Sequence, residues 1–506
     1  MNLGPLQAIE KGYVPYVGPA SSQYGPGSQI LTYAVMKWSG RFDLLSYRAA
    51  GAWLHLLTAF GICAAAVYLL DGWMLVPVLL LALAYSPLGF FGYQENGSLE
   101  GFYGWANGLR YMGCMIALGG LPAAVRRGGA AQWALGAVFG LFCFLSQENL
   151  GTAATGGAML VALLWLTGTA SIRSLAWCLG RAACGFIAVW IPVALFFLAQ
   201  GAFGGFVRSY LLFGAGVANG FLNSWWLSPA NSSQYRSYLY TGVILAAIGA
   251  WTLFDARERR LRGPLDRRQA RLLGFVCAAA AAYAVSLLRS DSWHTRNTTV
   301  ALPFVLLLAF WDLPQWSARP GWRRWAIRAA IAGMALWVYP LIGAWVMNAP
   351  TELRAPLRRF AADRAPVSRA ADPRIPFQRV TRYLTDDPPS AEGGMEMRVF
   401  LEEMIALHEI AGRKKTMVIG VPGLYPGVVS FVADLTPAPH FLAREMIMPN
   451  MLRESLEFLR AHIGNYECIV TEDLEEPESA LFRRLYPDAR VVTRHLGEAP
   501  YYVLVR

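Results

Sequence analysis

The amino-acid sequence predicts a multi-pass α-helical membrane protein with about ten transmembrane helices and a small C-terminal extracytoplasmic α/β domain. Three observations carry that expectation. Of the 506 residues, 55% are hydrophobic; only 15% are charged, against about 25% in soluble domains; and the composition changes abruptly after residue 346. A mean hydropathy of +0.36 and 13% aromatics exclude a disordered or fibrous chain. The net charge of +11 raises nucleic acid as a partner. The arginines, however, cluster in short connections between apolar runs, where a cytoplasmic membrane face places them, so no nucleic-acid role is expected. Six of the seven cysteines lie in apolar segments and only Cys468 in the polar tail, a spacing that suggests neither a disulfide framework nor a zinc site.

Residues 1 to 47 read as a first extracytoplasmic loop. They contain neither a signal peptide nor a run long enough to span, which predicts that a transmembrane helix preceding Met1 is missing from this sequence. Ten apolar stretches follow within 48 to 346: residues 48 to 70, 73 to 91, 109 to 125, 131 to 146, 150 to 167, 176 to 199, 237 to 254, 272 to 289, 298 to 314 and 326 to 346. Alternate connections must share a side. One set carries Arg126 and Arg127, then Arg173, then the arginines from Arg257 to Arg271, and last Arg319, Arg323 and Arg324; this set is assigned to the cytoplasm. The run from 257 to 271 reads as an anchoring loop beside anionic lipid. The other set contains 92 to 108 with Glu95 and Glu100, the turn Gln147-Glu148-Asn149, the segment 200 to 236 with an interfacial aromatic pair at Trp225 and Trp226, and 290 to 297. It faces outside together with both termini.

A Pro- and Arg-rich linker over 347 to 375 leads into the soluble domain at 376 to 506. There Thr416 to Gly420 and Glu467 to Val470 read as short buried strands, Met451 to Ile463 has helical spacing, and Arg490 to His495 with Tyr501 to Val505 read as a closing hairpin. Ile419-Gly420-Val421-Pro422-Gly423 is a poor phosphate loop, because Pro422 lacks the donor such a loop needs.

Gly12-Tyr13-Val14-Pro15-Tyr16, followed by Ser22-Gln23-Tyr24-Gly25-Pro26-Gly27, resembles the first outer loop of GT-C glycosyltransferases, in the bacterial branch similar to protein O-mannosyltransferases and the lipid A aminoarabinose transferase. Asn107-Gly108-Leu109-Arg110, the loop from Arg289 to His294, Leu424-Tyr425-Pro426 and Pro437-Ala438-Pro439 follow in the family's order. The resemblance implies a GT-C-like helical domain that moves a sugar from a polyprenyl-phosphate carrier to a lipid, glycan or protein acceptor at the outer face of the cytoplasmic membrane. In that family a catalytic aspartate precedes a Leu-Gly-Pro-like stretch. Here Leu3-Gly4-Pro5 is preceded only by Met1 and Asn2, so the resemblance also implies a chain inactive as written. No cofactor is expected and no metal ligands are assigned; dependence on a divalent metal stays open.

Such a transfer needs a carboxylate to take the acceptor's proton, cations to hold the leaving phosphate, and a groove that keeps the lipid tail in the bilayer. Glu10, the only acid in the first thirty residues, is the substitute base or a surface residue on a short amphipathic interfacial helix. Arg289 and Arg296 are phosphate candidates or snorkelling residues at helix ends, and Arg110 is a third cation of the same kind. Asp291 and His294, three apart, share a helical face or belong to a solvated turn. Glu95 or Glu100 contacts a sugar hydroxyl, or both stay solvated; Tyr24 stacks on sugar or fixes its turn. A transporter or flippase for lipid-linked sugars would share the helices and the basic loops, but no repeat of two related halves is visible.

Overall fold

The computed structural model describes residues 3–17, 20, 25–40, 42, 44–70, 112–146, 150–207, 210, 242–251, 264–286, 305–306, 308–311, 321–338, 397–422, 426–437 and 463–506. Its helices are α1 (Leu3–Glu10), α2 (Pro26–Trp38), α3 (Leu44–Leu70), α4 (Met112–Arg127), α5 (Gly129–Leu145), α6 (Leu150–Leu166) and α7 (Ile172–Ala199). These are followed by α8 (Gly242–Trp251), α9 (Arg267–Ser286) and α10 (Gly321–Val338). The tail adds α11 (Met397–Ala411), α12 (Pro426–Val432) and α13 (Pro477–Leu485), with strands β1 (Lys415–Val418), β2 (Thr436–Pro437), β3 (Cys468–Thr471), β4 (Arg490–Leu496) and β5 (Ala499–Val505).

The expectation of about ten spans is corrected. Among the described residues, one helix, α7, is long and apolar enough to cross a membrane. Several other predicted stretches form helices but stop short or carry charge. Helices α5 and α6 are 17 residues each, α4 has 16 residues with Pro122 inside, and α8 is shorter still. Helices α9 and α10 carry arginines in their first turn, Arg267 and Arg268 in one and Arg323 and Arg324 in the other, ahead of the apolar stretches at 272 to 289 and 326 to 346. The stretch 73 to 91 and most of 298 to 314 lie outside the described residues. Apolar content does not report span length, because helix ends are set by glycine, proline and capping groups. Helix α7 is capped by the Ser171 hydroxyl, which accepts from the Ser174 N–H, and its 28 residues extend about 42 Å. Only 11% of its most apolar window is buried within the protein, so its side chains are not those of an interior helix.

Helices α4 and α5 form a tight hairpin through Gly128 and Gly129, both with positive φ. Helices α5 and α7 run side by side in the same direction. A Cβ at Gly136 would strike the Ala182 carbonyl, and one at Gly185 the Trp133 carbonyl, so small residues set this crossing. Helix α9 lies against α4 and α6, with Gly274 against Leu118 and Gly156 against the Cys277 carbonyl. One end of the bundle gathers Arg126, Arg127, Arg173, Arg267 and Arg268. There Arg127 donates to the Tyr68 carbonyl at the end of α3, Arg181 donates to Gln132 at 3.1 Å, and the Leu265 N–H donates to the Thr169 hydroxyl at 3.3 Å.

At the opposite end the tail folds as a five-stranded sheet of order β2-β1-β3-β5-β4. Strand β1 pairs in parallel with β2 and β3, whereas β5 is antiparallel to both β3 and β4. Alternate side chains serve opposite faces. Cys468, Val470, Tyr501 and Val503 join a core with α11 and α12, while Ile469, Leu504 and Met417 join Phe482 of α13. The first core also takes in Leu3 and Leu6 of α1, Met36 of α2, and Tyr47 and Ala50 of α3. The N-terminal segments therefore complete the tail's hydrophobic core.

The strands expected at Thr416 to Gly420 and Glu467 to Val470, and the closing hairpin, correspond to β1, β3 and β4–β5. The helix expected over Met451 to Ile463 lies outside the described residues up to position 462.

Candidate active site

Helix α1 forms because Pro5 sits in its first turn, where its missing N–H costs nothing, and it stops because Gly12 adopts φ +93 just beyond its end. Leu3 and Leu6 face α12, and Gly4 approaches Gly427 so closely that a Cβ there would touch its Cα at 3.4 Å. The Gln7 amide donates to Asp434 Oδ1 at 3.1 Å and to the Leu435 carbonyl at 2.8 Å, and Lys11 Nζ lies 3.3 Å from the same Asp434 oxygen. Asp434 holds φ +46, a backbone conformation that Asp tolerates better than most residues, at the turn into β2.

This docking carries Glu10 to α2. Tyr33 and Lys37, four apart, project from one helical face: the Tyr33 hydroxyl donates to Glu10 Oε2 at 3.1 Å, and Lys37 Nζ donates to Oε1 at 2.8 Å. The hydrogen bond to Glu10 raises the Lys37 ammonium above its ordinary value, and burial together with that carboxylate raises the Tyr33 phenol. Both carboxylate oxygens are thus engaged. The Lys37 side chain is half exposed, so its contact is the one that can be exchanged for an incoming hydroxyl.

Of the candidate catalytic and substrate-binding residues named from the sequence, Glu10 is the one the structure describes. Tyr24, Glu95, Arg110, Arg289, Asp291, His294 and Arg296 lie outside the described residues, as do Glu148, Trp225 and Trp226. Helix α5 ends at Leu145 and α6 begins at Leu150, on either side of Glu148 in the chain. Sequence reasoning did not pick out Tyr33 and Lys37, although their i, i+4 spacing was readable; Asp434 had no local signal. Among the described residues, no three His, Cys, Asp or Glu side chains come together as a metal would require.

A second polar constellation lies within the tail. Arg494 Nε and Nη2 donate to the two oxygens of Glu403 at 2.8 Å each, and the Tyr501 hydroxyl donates to Glu403 Oε1 at 2.7 Å. Burial and the neighbouring carboxylate push the Tyr501 phenol well up, and the bond to Glu403 raises Arg494. This network joins α11 to β4 and β5 and leaves the carboxylate no free oxygen facing a substrate, so it reads as architecture.

No family model, curated protein or solved structure matches the chain.

Proposed function

We propose that the chain is a membrane-anchored glycosyltransferase that moves a sugar from a polyprenyl-phosphate carrier to a lipid, glycan or protein acceptor at the outer face of the cytoplasmic membrane. One observation carries the reading: Glu10, with Tyr33 and Lys37, sits beside the tail domain at the end of the bundle opposite Arg126, Arg127, Arg173, Arg267 and Arg268. Arginines turned toward an anionic cytoplasmic leaflet and chemistry at the other end fit a transfer on the outer side. The uncovered apolar surface of α7 supports bilayer anchoring.

In this reading Glu10 accepts the proton of the acceptor hydroxyl as its oxygen bonds to the anomeric carbon. The bond from that carbon to the phosphate oxygen breaks, and polyprenyl phosphate leaves with the electron pair. Arg110, Arg289 and Arg296 are proposed for the leaving phosphate, and Tyr24, Glu95, Asp291 and His294 for the sugar. Membranes carrying the protein, incubated with radiolabelled polyprenyl-phosphate sugars, test it. Transfer lost in Glu10→Gln by about a hundredfold or more supports the reading; absence of transfer and of donor binding counts against it. Thiol labelling that puts engineered cysteines at Ser292 and in the tail in the cytosol would overturn the sidedness.

A second reading, a catalytically inactive member, is favoured by the Glu10–Lys37 ion pair, which gives the acid a structural task.

A further inference from the structure

We propose that two arginine–tryptophan pairs, Trp177 with Arg181 on α7 and Trp325 with Arg328 on α10, are clamps for the headgroup phosphates of an anionic phospholipid bilayer. The inference rests on the membrane attachment in the reading above and uses none of its transfer chemistry.

The two pairs repeat one arrangement. Trp177 and Arg181 are four apart and Trp325 and Arg328 three apart, spacings that put the members of each pair on one helical face. Helical side chains lean toward the N-terminus, so each arginine reaches back over the ring that precedes it. The guanidinium carbon lies 5.8 Å from the centre of the Trp177 ring in one pair and 5.3 Å from that of Trp325 in the other. Both indoles are uncovered, 60% and 68% exposed. Arg173 extends the first pair into an exposed stripe of i, i+4, i+8 spacing, and the Phe310 ring adds a second aromatic contact to Arg328 at 5.7 Å.

Neither guanidinium has a carboxylate partner among the described residues. Arg181 donates to the neutral Gln132 amide oxygen at 3.1 Å, and Arg328 Nε is buried with no hydrogen bond. Between residues 44 and 338, Asp266 is the one acid among the described residues, and its Oδ1 accepts the Arg268 and Gln269 N–H groups at 2.9 Å each at the start of α9. An aromatic ring holds a guanidinium in place without neutralising it. The N–H fork, which lies in the plane of the guanidinium, stays open to oxygens from outside, and phosphate matches it.

The surroundings of the pairs select a lipid as the source of that phosphate. Along α7 the exposed stripe continues into Leu179, Ile187, Ile191 and Leu195, all exposed. On α10, Trp322, Ala326 and Ala329 are exposed beside the second pair. A nucleic acid or an acidic protein would meet the arginines and leave this apolar surface in water. A bilayer meets both, with phosphates at the guanidinium groups, indoles in the interfacial layer and acyl chains against the leucines and isoleucines.

The test uses the full chain in detergent, with equal amounts of phosphatidylglycerol and phosphatidylcholine as probes and the retained lipids counted by native mass spectrometry. The wild type is expected to retain the anionic lipid about tenfold in preference, and Arg181→Gln and Arg328→Gln each to lower that preference about fivefold, the worth of one cation at a lipid surface. Trp177→Leu and Trp325→Leu should lower it as well, whereas Trp177→Phe and Trp325→Phe, which keep a ring, should retain it. Thermal midpoints in phosphatidylcholine, expected to match the wild type, confirm that the variants fold. A wild-type preference near one, or a preference untouched by both arginine variants, overturns the proposal. Single-stranded RNA that displaces the phosphatidylglycerol, and whose binding is lost in the same variants, overturns it in favour of a nucleic acid. Recovery in neutral phosphatidylcholine nanodiscs reports the attachment separately: a chain that enters them without preferring the anionic lipid sinks the clamps alone, and a chain that never enters them sinks the attachment with them.

Discussion

The Gln7 amide donates to Asp434 Oδ1 at 3.1 Å, joining positions 427 residues apart in the chain. That bond, the Leu435 carbonyl contact and the Lys11 ion pair hold α1 on the tail. Asp434→Ala is expected to weaken the docking by about 1–3 kcal/mol, because it leaves one N–H of the buried Gln7 amide unmet, removes the partner of Lys11 and puts a less tolerant residue at positive φ. Hydrogen exchange over residues 3 to 17 should accelerate, with exchange in β3 unchanged; equal protection in the variant would show that the apolar contacts of Leu3 and Leu6 suffice.

Arg494 and Glu403 form a two-pronged pair with the carboxylate nearly buried. Arg494→Ala leaves that carboxylate with Tyr501 alone and is expected to destabilise the tail by about 3 kcal/mol, the low end for a broken buried pair because the Arg494 side chain is 33% exposed. Tyr501→Phe should cost less, about 1–2 kcal/mol. Denaturant titration followed by tyrosine fluorescence measures both. Lysine at 494 should not restore the loss, since one ammonium cannot reproduce the fork.

Alkaline pH should unfold the tail from one side only. Burial pushes the Cys468 thiol from 9.0 up to about 12, pushes the Tyr466 phenol to about 12, and raises Tyr501. A raised native value means the folded state holds its protons longer. The stabilisation is complete below the unfolded values and drains away as pH rises from about 9 toward about 12. Unfolding midpoints measured from pH 7 to 11 should fall over that window, and Cys468→Ala should flatten the lower part of the fall. A midpoint constant to pH 11 contradicts the burial of these groups.

Two glycines make a matched pair. Gly136→Ala drives a methyl into the Ala182 carbonyl, whereas nothing lies within 4 Å of a Cβ at Gly180. The first change is expected to cost about 1–3 kcal/mol and to loosen α5 from α7; the second should be neutral or stabilising by a few tenths of a kcal/mol. Thermal unfolding in detergent compares them, and equal effects would mean that the two helices do not touch at Gly136.

Individual elements of the fold were legible. Strand period in the tail, turn glycines and apolar runs marked β1, β3, the β4–β5 hairpin and the cores of α5, α6 and α7, because those signals are local. Span count was not, because apolar composition does not report where a helix ends, and glycine-lined crossings such as Gly136 against Ala182 bury surface that hydropathy counts as lipid-facing. Of the candidate site, Glu10 was visible as a lone acid; its partners Tyr33 and Lys37 required knowing that α1 folds back along α2.

By itself the sequence determined the contrast between an apolar stretch and a mixed-charge tail with strand periodicity, since composition and periodicity act over a few residues. Only the tertiary structure decided that α1 completes the tail's core, that Asp434 anchors it, and that Glu10 reaches Tyr33 and Lys37 of α2. Such pairings depend on which distant surfaces exclude water together, and no local pattern encodes that choice.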